Sequence, residues 1–273
     1  FLLNSPLDIA LCEKAYEKLI ERHESLRTVF FQDQGIPKLR VLERNGINSS
    51  VGFENLNIET GKGYMEVVET HLAEDLSYIF DLSKGPLSKL SVLQLNDNQF
   101  VLSITVHHLA ADGWSIGLLL RDFAAIYESI SNDVPDNLPQ LDIQYIDFAE
   151  WQLNSNESAE HKEQLEFWKK QLKGAPQITN LETDFPRPEE ANFEGANFTF
   201  EISEEDTSRL GAIGSENNAS LFMVLLSIFY VCLHKETDDN DIVIGVPTAN
   251  RTRKELESVV GFFLNTLAIR VDD

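Results

Sequence analysis

Apolar residues recur at three- and four-residue spacing in some stretches of the chain and alternate in others, so helices and strands can be assigned in turn. After Pro6, Asp8 is placed to cap a helix whose stripe is Leu11, Cys12, Ala15, Tyr16, Leu19 and His23. A second helical pattern, around Tyr64 to Ile79, follows the loop-like Asn45 to Ser50. Leu87 to Leu95 and Gln99 to His108 read as strands joined by Asn96-Asp97-Asn98, which makes a hairpin. Directly after it, Ile116, Leu119, Leu120, Phe123 and Tyr127 line one helical face, and Ser158 to Lys173 is a charged amphipathic helix ended by Gly174.

From Gly174 to Gly195 the periodicity fades and Pro176, Pro186 and Pro188 accumulate, the composition of a connector. Beyond it Phe198 to Ile202 alternates like a strand. Ser220 to His234 is apolar nearly all round and predicts a buried helix. Asp241 to Val246 and Leu264 to Val271 are further strand patterns. Helices mixed with hairpin strands predict an α+β sandwich rather than a doubly wound parallel sheet. The predicted layout is a first lobe over residues 1–175, a connector over 176–195 and a partial second lobe over 196–273.

Charge narrows the partners. Against 22 Lys and Arg stand 45 Asp and Glu, a formal charge of -23. Such a surface repels nucleic-acid phosphates and anionic lipid, so neither nucleic acid nor membrane is expected as a partner. Cys12 and Cys232 both lie in apolar stretches and predict buried free thiols, with no disulfide framework or zinc cluster. The apolar run Leu221 to Leu233 is too short to span a bilayer, and no signal peptide opens the chain. The expected location is the cytoplasm. Phe1 in place of Met, and an end at Asp273 just after a strand pattern, predict a piece of a longer polypeptide.

Chemistry concentrates between Val106 and Ser115, in VHHLAADGWS. On the preceding strand His108 shares a face with Phe100, Leu102, Ile104 and Val106, while His107 shares the other with Val101, Ser103 and Thr105. Only one of the two histidines can enter a given cavity, which argues against joint chelation of a metal. Asp112 could simply cap the next helix. A short His-to-Asp loop at a helix N-terminus also suits acyl transfer: imidazole exchanges protons near neutral pH, and amides near Gly113 can face an oxyanion.

Five stretches, in order, carry a family resemblance. HHLAADGWS resembles the HHxxxDG motif of the condensation domains of nonribosomal peptide synthetases. RHESLRTVF, Arg22 to Phe30, resembles the family's RHExLRTxF, and FDLSKGPL, Phe80 to Leu87, its FDLxxGPL. YIDFAEW, Tyr145 to Trp151, is similar to YxDFAxW, and VGFFLNTLAIR, Val260 to Arg270, to IGxFVNTxxxR. The opening S-x-A-Q-x-R type motif and two motifs beyond the Asn-Thr strand are absent, and Ala249-Asn250-Arg251 stands where members often have Ala-Gly-Arg.

The resemblance implies a chloramphenicol-acetyltransferase-like pair of lobes with a tunnel for two carrier-bound thioesters. It implies amide formation between a donor acyl thioester and an acceptor aminoacyl thioester. His108 would be the tunnel-facing catalytic residue beside Gly113. His107 and Asp112 would support it, Asp112 paired with an arginine among Arg22, Arg27 and Arg270. The implied partners are upstream and downstream peptidyl carrier domains and a neighbouring adenylation domain. No cofactor is implied on this chain, since 4'-phosphopantetheine belongs to the carriers. Alternatives are an epimerisation domain, a coenzyme A-dependent acyltransferase and a non-catalytic docking module; heterocyclising relatives carry aspartates in place of the histidine pair. Tyr145 and Trp151 are expected to pack, His23 to be structural, and His71, His161 and His234 to be incidental. Gly61-Lys62-Gly63 lacks P-loop spacing, and Asn48, Asn156, Asn197 and Asn218 fit glycosylation sequons by chance.

Overall fold

The computed structural model describes residues 1–272 except 45, 46, 48, 57, 59–63, 187, 188 and 191–194; Gly61-Lys62-Gly63, Asn48 and Pro188 therefore lie outside the described residues. The chain divides into two compact units. The first comprises Phe1–Ser158 and Thr248–Asn265, the second Ala159–Pro247 and Thr266–Asp273. These units do not follow the predicted boundaries at 175 and 196. The first helix after residue 158 belongs to the second unit, and residues 248–265 return to the first.

The first unit runs β1 (Leu2–Leu3), α1 (Ile9–Arg22), β2 (Thr28–Asp33), β3 (Ile36–Val41), β4 (Gly52–Asn55), α2 (Tyr64–Leu76), β5 (Ser88–Asn96), β6 (Gln99–Val106), α3 (Gly113–Asn132) and α4 (Tyr145–Ser155). Its main sheet has the order β1-β6-β5-β4, with β5 and β6 antiparallel and β4 parallel to β5. The predicted central hairpin is present, but β6 ends at Val106, two residues before His108. Alternation along β5 and β6 separates two cores. Leu90, Val92, Phe100 and Leu102 pack with Cys12, Leu19 and Leu119 of α1 and α3, while Leu93, Leu95 and Val101 pack with Val68 of α2. Each fully buried leucine contributes about 1.5–3 kcal/mol, so helices on both faces hold the sheet. Asp8 caps α1 as predicted, its carboxylate accepting from Leu11 N–H at 3.1 Å.

A separate hairpin of β2 and β3 turns at Gln34 and Gly35, which take φ of 52° and 81°. A two-residue turn matching the twist of its strands needs positive φ at both positions. The hydrophobic pattern does not announce this hairpin, because β3 is exposed almost throughout and only the first half of β2, Thr28 to Phe30, is covered.

The second unit holds α5 (Ala159–Gln171), α6 (Glu204–Glu216), α7 (Leu221–Thr237), β7 (Asp241–Thr248) and β8 (Asn265–Asp272), the two strands forming a pair. Arg270 ties them through Asp241 at 2.6 Å. Three expectations fail here. The helix predicted over 220–234 forms, but no residue of α7 is buried, and Phe222 and Phe229 are 57% and 52% exposed. Apolar periodicity specifies a helix; burial also needs covering elements, and α6 alone packs substantially along α7 among the described residues. For the same reason Cys232, on α7, is exposed, whereas Cys12 is buried. Phe198 to Ile202 forms no strand, since no neighbouring strand pairs with it among the described residues.

Candidate active site

The loop between β6 and α3 is built from both sides. His107 N–H donates to the Leu87 carbonyl at 2.9 Å, the last step of the hairpin ladder, and Ala110 N–H turns back to the His107 carbonyl at 2.9 Å. The two histidines then part. His107 is half-buried, its ring edge-on to Phe80 with centroids 5.9 Å apart, and its Nδ1 accepts from Leu109 N–H at 3.1 Å. His108 is exposed, lies against Phe262 at 4.7 Å between centroids, and places Nδ1 2.9 Å from the Ala111 carbonyl. A carbonyl only accepts, so the proton of neutral His108 sits on Nδ1 and the lone pair on Nε2. His107, accepting at Nδ1, carries its proton on Nε2. Neighbouring histidines are thus held as opposite tautomers, and His108 is the one left with a basic Nε2.

Asp112 is the buried hub. As the N-cap of α3 its Oδ1 accepts from Ser115 N–H at 2.9 Å and from Ser115 Oγ at 2.7 Å, and its Oδ2 accepts from Phe263 N–H at 3.1 Å. Arg251 reaches the same carboxylate at 3.2 Å, both side chains being 2% exposed. Burial alone would raise the Asp112 carboxyl; the Ser115 bonds and the Arg251 charge outweigh it and hold the group below the usual carboxylate range. Burial lowers the Arg251 guanidinium, and Asp112 opposes that shift. Arg251 also stacks on Phe263 at 4.1 Å and donates to the Val259 carbonyl at 2.6 Å.

The pairing corrects the sequence expectation. Arg22 bonds Asp122 at 2.8 Å, Arg27 bonds Glu24 at 3.0 Å, and Arg270 bonds Asp241, so none of the three meets Asp112. Arg251 lies 139 positions from its partner. Its only signal in the sequence is the Ala249-Asn250-Arg251 triplet at a place where the family pattern also ends in arginine.

Residues 259–263 complete the site from beyond. Asp112 N–H donates to the Gly261 carbonyl at 3.1 Å, and Gly261 N–H donates to Ser115 Oγ at 3.1 Å. A Cβ at Gly261 would stand 2.2 Å from Tyr145, so this approach admits only glycine. Tyr145 packs as expected: its ring meets Phe263 and its hydroxyl donates to the Phe262 carbonyl at 2.8 Å. Trp151 lies on Phe148 but is 48% exposed. Gly113 occupies the first turn of α3, where amides lack intrahelical acceptors, and is exposed. His23 is fully buried and bonded to Asp122, whereas His71 and His234 make local bonds far from the loop in sequence. No cluster of three or more His, Cys, Asp or Glu suited to a metal ion occurs among the described residues.

His108 thus stands exposed with a fixed tautomer on a loop that the buried Asp112–Arg251 pair anchors at its far end. The family model "Condensation domain" matches residues 1–273. The chain belongs to the condensation-domain family. It is 37% identical over 269 residues to phosphinothricin tripeptide synthetase PhsC of Streptomyces viridochromogenes, covering 98% of this chain and 25% of that protein. It is also 37% identical over 270 residues to surfactin synthase subunit 1 of Bacillus subtilis, covering 98% of this chain and 7% of the relative. Among solved structures, AB3403, a four-domain nonribosomal peptide synthetase bound to AMP and glycine, is similar with 29% identity and a TM-score of 0.80. That match covers 100% of this condensation domain and 20% of AB3403. The chain therefore spans a small part of these relatives, and its fold is the chloramphenicol-acetyltransferase-like α/β fold of the family.

Proposed function

We propose that this chain forms the amide bond of nonribosomal peptide synthesis, joining a donor acyl or peptidyl thioester to an acceptor aminoacyl thioester. The observation that carries this reading is His108, whose Nδ1 is committed to the Ala111 carbonyl and whose exposed ring offers a basic Nε2. An α-amine has a pKa of about 8, so about a tenth is neutral at pH 7, at a cost of about 1.4 kcal/mol. Imidazole need not create the nucleophile. It positions the amine and takes its proton as the N–C bond forms. The C–S bond then breaks, and the proton passes to the departing thiolate. The amides at Gly113 are suited to the developing oxyanion. Asp112 and Arg251 act on the frame of the loop rather than on substrate.

Both thioesters would arrive on 4'-phosphopantetheine arms of upstream and downstream carrier domains, with an adenylation domain nearby; this chain itself supplies only side chains and backbone amides. The two units, Phe1–Ser158 with Thr248–Asn265 and Ala159–Pro247 with Thr266–Asp273, correspond, in this reading, to the two acetyltransferase-like lobes. The test supplies the chain with one acyl-loaded and one aminoacyl-loaded carrier and follows the acceptor carrier by mass spectrometry. Appearance of the joined acyl-aminoacyl thioester supports the reading. Exchange of the α-hydrogen with solvent deuterium, without joined product, would instead favour epimerisation.

A further inference from the structure

Beside His108 lies a small pocket of about 160 Å³ whose apolar wall is Phe30, Leu39, Leu109, Ile146, Ala149 and Phe262. We infer that it is a selectivity pocket, holding one apolar side chain of a substrate; this rests on the amide-forming reading above. Position is the first argument. Phe262 forms one wall and also packs on the His108 ring at 4.7 Å, and Leu109 is the next residue in the chain. Size is the second. A dry apolar cavity of about 150 Å³ takes up benzene, so this one fits a branched aliphatic or single-ring side chain and no whole cofactor.

Polarity is the third argument. Four polar side chains also line the pocket: Glu24, Ser25, Thr28 and Tyr145. Glu24 holds Arg27, Thr28 donates to the Glu24 carbonyl at 2.9 Å, and Tyr145 donates to the Phe262 carbonyl at 2.8 Å. Ser25 is 4% exposed, and its Oγ has no partner among the described residues. The polar groups of this lining are thus bonded elsewhere or, like Ser25 Oγ, closed off from the cavity, so what the pocket offers an occupant is apolar surface.

The test measures calorimetric binding of pantetheine amides of Gly, Val, Thr and Leu to the intact chain. One set carries free amines to represent acceptors, the other N-acetyl groups to represent donors. Leu should bind at least tenfold tighter than Gly in one set and alike in the other, since each buried methylene is worth roughly fourfold. Ala149→Leu, which fills the pocket, should erase the preference, with circular dichroism and melting verifying its fold. Equal binding of Gly and Leu in both sets, or a preference that survives Ala149→Leu, overturns the inference. Carrier-based amide synthesis is scored separately, so a chain that binds selectively yet joins nothing refutes the function and not the pocket.

Discussion

Two neighbouring histidines differ here through one hydrogen bond each. His108→Ala should abolish amide formation and leave the melting temperature within about a degree, because the ring is exposed and braces little. Product at near wild-type rate from two loaded carriers would remove His108 from the mechanism. Asp122 makes a pH prediction. It is fully buried and accepts from Arg22, Arg121 and His23. Burial pushes its carboxyl up, but the bonds from His23, Arg22 and Arg121 prevail and hold it at about 2. His23 is lowered, chiefly by burial. A depressed carboxyl contributes stability above its unfolded pKa of about 4 and loses it as pH falls toward 2, on the order of 2 kcal/mol. A depressed histidine adds loss in the same direction, beginning below about pH 6.5 where the unfolded chain takes a proton first. Denaturant titrations from pH 7 to pH 3 should therefore show steadily falling stability. Asp122→Asn should be less stable at pH 7 and show a shallower fall below pH 4.

The element that completes the site is the segment 248–265, bound to the start of α3 by Asp112, Ser115 and Arg251. Removing one partner of a buried ion pair strands the other, typically at 3–5 kcal/mol, whereas replacing both with apolar groups costs much less. Arg251→Met should thus melt well below wild type, and Asp112→Leu likewise, with the double variant recovering part of the loss. Additive losses in that double-mutant cycle would show that the pair does not couple. Replacing Gly261 with alanine should have a comparable effect, since Tyr145 leaves no room for a Cβ. Its readout is a lost near-ultraviolet signal from the Tyr145–Phe263 contact.

Across the whole chain the two units differ in how much they bury. The buried core lies on α1, α3, β5 and β6 and around 256–263, while α7 buries no residue. Amides in α7 should therefore exchange with deuterium faster than those of α1 and α3, by orders of magnitude, because local opening there uncovers little apolar surface. Protection in α7 equal to that of α3 would contradict the burial pattern. No single helix among the described residues is long and apolar enough to cross a membrane.

Local rules account for much of this chain. Period and capping were sufficient for α1, α3 and the β5–β6 hairpin, since each buries one face and alternates polar with apolar accordingly. The motif around His108 was legible because its chemistry sits within ten consecutive residues, 106–115. The strand phase separated the two histidines, although β6 stops at Val106 and the divergence is completed by a turn. The partner of Asp112 was not legible. Any of several arginines satisfies the charge, and the choice of Arg251 rests on a loop closure across 139 positions that no local propensity encodes. The exposure of α7 was likewise beyond its apolar pattern, since an apolar helix is buried only where other elements reach it. Nor could spacing show the pocket, for Ser25, Leu109, Ile146 and Phe262 come from four separate stretches that only chain folding brings to one wall.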